Sequence, residues 1–341
     1  MNKSELLCKV RHTPMLAKID DIVGLSKWAK SRNDRALTRQ LAQRYYRPEN
    51  GSKACNGKPE VVTMFDGRVN QGGLCDRLWG VVSTYLYCKD NDLQFKLNFT
   101  TPFDITDYLQ PAANVDWRIS PSELTYDSRT AQPLVIKCLG YGREDNLSPI
   151  KRLIAKGTKQ VHIYTNAHSY RSRFHEGFTD LFKPSDVVAR TIDDVISREG
   201  DGYVSISFRF VRLFGDFDDV AWPVLPDERS REDMIKRGLG AIERIKALHP
   251  GKKVLVTTDS PTFLARAREV EDVFVVEGEI KHVDFSDTKG VELPHLKTFL
   301  DLLLLARSKH VYLGMNEQVY PSTFSRTAAI IGDHPFDTIQ F

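Results

Sequence analysis

The sequence predicts an α/β protein built from two Rossmann-like halves with parallel sheets facing a cleft, preceded by a helical extension. Three observations carry this reading. Short β-branched segments recur along the chain, separated by helical stretches, as parallel strands joined by crossover helices require. The alternation starts afresh after Gly200-Asp201-Gly202, which marks a boundary between the halves. The 341 residues, 41% apolar and 27% charged, suit two soluble domains and exclude a disordered or collagen-like chain. We therefore divide the chain into a helical extension over 1–58, a first Rossmann-like domain over 59–199 and a second over 200–341.

The elements follow in order. Residues 19–46 read as helical, with Ile22, Leu25, Trp28, Leu37, Leu41 and Tyr45 at buried spacing. Arg47 to Ser52 breaks the pattern, and Val61 to Phe65 is a short apolar strand. A glycine-rich turn from Gly67 to Gly73 leads into a helix from Leu74 to about Cys88. Leu93 to Phe99 alternates apolar with polar, the mark of a strand with one buried face. Leu134 to Cys138 and Val161 to Tyr164 are further strands, with helices between and after them up to Phe182. In the second half the strands are Tyr203 to Phe208, Lys253 to Thr257, Val273 to Val276 and His310 to Leu313. The helices are Ser230 to Leu248, Pro261 to Val270, Leu296 to Ser308 and Ser322 to Ile331, with Ser230 and Asp233 spaced as a capping box.

Charge and cysteine usage narrow the partners. Lys and Arg total 48 against 45 Asp and Glu, too even a balance for a general nucleic-acid binder. An anionic ligand must therefore be held by a local cluster. The longest apolar run, Leu302 to Ala306, falls far short of the roughly 18 residues that span a bilayer, and no apolar leader opens the chain. The expectation is a cytoplasmic protein without stable membrane insertion. Five widely spaced cysteines (Cys8, Cys55, Cys75, Cys88, Cys138) without a CxxC pair point to reduced thiols rather than disulfides or zinc.

Five places can carry chemistry. Gly72 and Gly73, after a strand and before a helix, let the backbone pass close to a ligand; the same pair also serves a tight turn. Arg209 lies just past the strand that opens the second half, where ligands cluster in such sheets; its guanidinium forks onto phosphate or pairs with a nearby Asp. Asp216-Phe217-Asp218 and Asp90-Asn91-Asp92 are D-x-D pairs of the kind that holds a cation on a diphosphate, and they also arise by chance among 45 acids. Asp301 interrupts an apolar helix. Its carboxylate either accepts two N–H bonds from a guanine edge or shares a solvated stripe with Lys297, Thr298 and Ser308. Ser322, Thr323 and Phe324 begin a helix, with Ser322 as N-cap and free N–H groups suited to an anion.

Taken together and in this order, these pieces resemble the fucosyltransferase superfamily of α1,6-, nodulation-type, α1,2- and protein O-fucosyltransferases. Gly72-Gly73-Leu74-Cys75-Asp76-Arg77-Leu78 is similar to the family's Gly-Gly-Leu-x-Asp-Arg-Leu loop, and Ser207-Phe208-Arg209 stands where the family has His-x-Arg. Thr258-Asp259-Ser260-Pro261, Asp301 and Ser322-Thr323-Phe324-Ser325-Arg326 complete the match. The resemblance implies a GT-B-like fold and an inverting, metal-independent transfer of fucose from GDP-fucose to a glycan or glycolipid acceptor, with no cofactor. It implies that Arg209 stabilises the leaving diphosphate and that Asp301 reads guanine. Gly72, Gly73, Asp259, Ser322, Thr323 and Phe324 would line the donor pocket. The family's histidine is Ser207 here and its second arginine is Phe210, with Arg212 two residues on as the candidate substitute. Asp216 and Asp218 are the candidate bases, since they follow Arg209 closely. Two other readings stay open: a sugar-nucleotide- or glycan-binding protein that kept the fold without catalysis, and a metal-dependent transferase using Asp216 and Asp218.

Overall fold

The computed structural model describes residues 25–49, 58–113, 115–137, 147–216, 222–280 and 292–341. Cys8, Cys55, Cys138, Asp218 and the start of the expected N-terminal helix lie outside them. The side chains of 25–31, among them Leu25 and Trp28, are likewise not described. The chain divides into two compact units. The first holds 1–71, 76–99 and 117–171; the second holds 72–75, 100–116 and 172–341.

The first unit contains a four-stranded parallel sheet in the order β2-β1-β5-β4. Its strands are β1 (Glu60–Phe65), β2 (Gln94–Phe99), β4 (Ala131–Ile136) and β5 (Gln160–Thr165). β1 is central and buried along almost its whole length, which is why it reads as a continuous apolar run. β2 is an edge strand, and its inward residues are Phe95, Leu97 and Phe99, as the alternation requires. Helix α2 (Leu74–Asp90) packs so closely on β5 that a Cβ at Gly80 would sit 2.3 Å from the Thr165 carbonyl oxygen. Helix α3 (Pro149–Ala155) precedes β5. Helix α1 (Leu25–Tyr45) covers the other edge strand, β4. The Val135 N–H donates to Thr38 Oγ1 and the Lys137 N–H to Asp34 Oδ2, both at 3.0 Å. The open edge is thereby closed by side chains of the helix.

The second unit contains a five-stranded parallel sheet in the order β11-β10-β7-β8-β9. Its strands are β7 (Val204–Phe208), β8 (Val254–Thr258), β9 (Val273–Phe274), β10 (Val311–Met315) and β11 (Phe336–Gln340). Helix α6 (Glu228–Leu248) joins β7 to β8, and α7 (Pro261–Ala267) joins β8 to β9. The chain then steps back across the sheet through α8 (Leu296–Arg307), and α9 (Phe324–Gly332) leads to β11. Right-handed crossovers running in opposite directions place α6 and α8 on opposite faces. A core of Ile206, Phe208, Ile242, Val256 and Phe263 fills the α6–α7 side. On the other side α8 packs along α9 and along α5 (Asp186–Glu199). A small antiparallel pair, β3 (Leu109–Pro111) with β6 (Phe182–Pro184), and α4 (Phe174–Leu181) also belong to this unit.

Three local expectations change. Helix α6 is capped by Asp227, whose carboxylate accepts the Ser230 N–H at 2.7 Å, rather than by Ser230. Asp227 has the extended backbone of an N-cap, and Ser230 is already inside the helix. β3, β6 and β11 have no counterpart in the sequence pattern: the first two have three residues each, and β11 is a mostly exposed edge without an apolar run. Residues 172–199 group with the second unit although they precede Gly200, because α5 packs against α8.

Candidate functional site

The carboxyl ends of β7, β8 and β10 lie side by side in the second sheet, so the segments that follow them converge. Arg209 and a tight turn follow β7. Asp259 follows β8, and its carboxylate organises that turn. It accepts the N–H of Phe210 at 2.8 Å and of Val211 at 2.7 Å, and pairs with Arg209 Nη1 at 3.1 Å. Val211 has φ +56°, a left-handed conformation that β-branched residues avoid. The bond from its amide to Asp259 is what the surroundings supply against that strain. The Asp259 side chain is 4% exposed and that of Arg209 is 23% exposed, so the cation is the more accessible partner of the pair. Burial pushes the Asp259 carboxyl above its ordinary value, against the opposing pull of Arg209 and the two amides.

The segment after β10 meets the same turn. The Tyr320 N–H donates to the Arg209 carbonyl at 3.1 Å. Asn316 Oδ1 accepts the N–H groups of Gln318 and Val319, and the Trp222 indole donates to the Gln318 carbonyl. Helix α9 then begins. The Ser322 hydroxyl accepts the Phe324 N–H at 3.2 Å, while Thr323 occupies the cap position without a side-chain bond. Ser322, the N-cap that the sequence suggested, thus stands one residue before the observed cap, Thr323. Thr323 is exposed and Phe324 half-buried. Ser325, fully buried at this helix start, has a hydroxyl without a hydrogen-bond partner. This turn of helix holds N–H groups and an unsatisfied hydroxyl, the equipment of an anion site.

Asp301 is not on a solvated stripe. Its side chain is 10% exposed and Lys297, one turn earlier, is 3% exposed; Lys297 Nζ contacts both carboxylate oxygens, at 3.0 and 2.8 Å. Ser308 is buried too, and Thr298 is half-buried. Burial pushes the Asp301 carboxyl up, and Lys297 is the charge that opposes it. A buried carboxylate in an apolar helix needs such a partner, and the i,i+4 spacing supplies it.

Asp216 is committed elsewhere. Its Oδ2 accepts the Ser260 hydroxyl at 2.6 Å and the Thr262 N–H at 3.0 Å, tying the β7 turn to the start of α7. Its other oxygen is buried without a partner. Asp218, its D-x-D companion, lies outside the described residues. Asp92 pairs with Lys58 at 2.9 Å. Among the described residues no group of three or more His, Cys, Asp or Glu is placed to hold a metal. Arg212 is half-buried beside the Val211 turn. Gly72 has φ +79°, which glycine alone adopts freely, and a Cβ at Gly73 would meet no atom within 4 Å.

Two residues of this region have no functional role in the sequence reading. The helical pattern puts Lys297 on a solvated face, though its spacing to Asp301 is the available signal. Ser325 belongs to the helix-start motif without a role of its own. The departures from the family pattern are structural: Ser207 is buried inside β7, and Phe210 stacks on Phe208 at 5.6 Å and packs on Phe263 in the core.

No family model matches the sequence, and no curated protein matches it. Solved structures do. A point mutant of Arabidopsis thaliana FUT1 in complex with GDP aligns with a TM-score of 0.50 at 14% identity, over 91% of this chain and 78% of that one. NodZ α-1,6-fucosyltransferase soaked with GDP-fucose aligns at 0.48 and 15% identity, over 81% and 93%. Fucosyltransferase NodZ from Bradyrhizobium aligns at 0.47 and 14%, over 80% and 92%. The likeness to the Arabidopsis protein establishes the architecture: this chain has the α/β, GT-B-like fold of the fucosyltransferases.

Proposed function

We propose that the protein is an inverting, metal-independent glycosyltransferase that moves fucose from GDP-fucose to a glycan or glycolipid acceptor. The observation that carries this reading is Arg209, held at the carboxyl end of β7 by a carboxylate and by a strained turn, with its side chain partly exposed. In such a transfer the acceptor oxygen attacks the anomeric carbon, the bond to the diphosphate oxygen breaks, and negative charge builds on the departing GDP. A fixed cation that needs no reorganisation stabilises that charge. The start of α9, with Ser322, Thr323, Phe324 and the unsatisfied Ser325 hydroxyl, supports the diphosphate subsite. GDP is the ligand of the Arabidopsis protein that shares this fold. Asp301 is our guanine reader; Lys297 contacts both of its carboxylate oxygens within the apolar helix. Gly72 and Gly73 add open, side-chain-free backbone on the donor side. Asp259 acts through Arg209 as a positioning residue. Asp216 is spent on the α7 start, which disfavours it as the base.

A binding protein that lost catalysis is the second reading, favoured by the burial of Phe210 where the family has a second arginine. Release of GDP from GDP-fucose separates the two. The proposal expects GDP release that persists in EDTA and exceeds release of UDP from UDP-galactose. Tight GDP-fucose binding with no release would favour the binding protein.

A further inference from the structure

We propose that α1 is a membrane-docking surface that seats the protein on an anionic lipid bilayer. The first 58 residues carry 13 Lys and Arg against 5 Asp and Glu, a formal +8 that leaves −5 for the other 283. Six of those 13 cations lie in α1, whose orientation is fixed by its packing on the sheet edge. Asp34 and Thr38 are bonded to the edge of β4, and Leu41 is buried against Val62, Met64 and Val135. These anchors turn the opposite face outward. Along it Arg32, Arg35 and Arg39 are exposed at i, i+3 and i+7, one straight row about 10 Å long. Asp34, the only carboxylate of the helix, faces inward.

A straight row of cations on a rigid helix matches a flat anionic surface. A nucleic acid fits less well, because phosphate binding needs a longer basic track and the rest of the chain is net acidic. Each arginine near an anionic leaflet is worth about a factor of five in binding, so three give about 100-fold. No apolar insertion is required, and among the described residues no helix is long and apolar enough to cross a membrane. The inference stands independently of the donor-site reading.

The test is sedimentation of the full chain with vesicles. Vesicles of phosphatidylglycerol and phosphatidylcholine are compared with pure phosphatidylcholine, at 50 and 500 mM salt. Binding is expected only to the anionic vesicles, weakening with salt. The combined variant Arg32→Gln, Arg35→Gln and Arg39→Gln is expected to bind about 100-fold less, with its circular dichroism unchanged. The corresponding triple replacement by lysine keeps the charge and is expected to keep binding. Equal sedimentation with neutral vesicles, or undiminished binding by the glutamine variant, would overturn the proposal. So would tighter binding to a single-stranded RNA oligomer than to the anionic vesicles.

Discussion

Arg209 and Asp259 divide one task between them. The arginine is the more exposed partner, and the aspartate spends both oxygens on the turn that follows it. Arg209→Ala is therefore expected to lower turnover of GDP-fucose by about 100-fold or more, the scale of losing one oxyanion-type donor; because the change leaves Asp259 buried without its counter-charge, unfolding temperature also falls, and turnover per folded protein is the quantity to read. Unchanged kinetics would remove the arginine from the reaction. Asp301→Asn is expected to weaken GDP binding more than UDP binding. The change also leaves Lys297 buried without a counter-charge, so unfolding temperature falls and the GDP-to-UDP ratio is the quantity to read. At this scale the place of Arg209 just past the strand that opens the second half was legible in the sequence. The roles of Asp259 and Asp216 were not, because they depend on loops meeting across 40 to 50 residues of sequence, as the bonds from Phe210 to Asp259 and from Ser260 to Asp216 show.

Two elements of the first unit carry their own predictions. In β5, His162 is wholly buried: its Nδ1 accepts from the Tyr46 hydroxyl at 2.7 Å, and its Nε2–H donates to Gln160 Oε1 at 2.7 Å. Burial lowers its pKa to about 3. The folded protein thus keeps the ring neutral where the unfolded chain protonates it. Stability is complete above about pH 6.5 and falls by up to about 1.4 kcal/mol per pH unit from there towards pH 3. His162→Gln should flatten that slope in denaturant titrations; an unaltered slope would mean other groups dominate acid unfolding. Gly80→Ala drives a methyl into the Thr165 carbonyl and should cost about 1–3 kcal/mol, read in the same titrations. The strands and helices of both sheets were largely legible because parallel strands buried on both faces leave unbroken apolar runs. β11 escaped because its Asp337, Thr338 and Gln340 are exposed, and α6 began earlier than expected because Asp227, not Ser230, supplies the first cap.

The first 58 residues are basic and the remaining 283 acidic, and α1, within the basic segment, is paired to a sheet edge. The overall charge hides this division, which is why composition argued only for a local anion site. The architecture was legible from the order of elements and from glycines at turns, whereas the grouping of 172–199 with the second unit rests on helix packing that no local pattern encodes. The proposed GDP-sugar site lies in the second unit and needs no metal. The most direct test is calorimetric titration of the protein with GDP and with UDP, each with and without EDTA. The account predicts GDP binding unaffected by EDTA and no heat from UDP; binding that vanishes in EDTA, equal binding of both nucleotides, or no binding of GDP would contradict it.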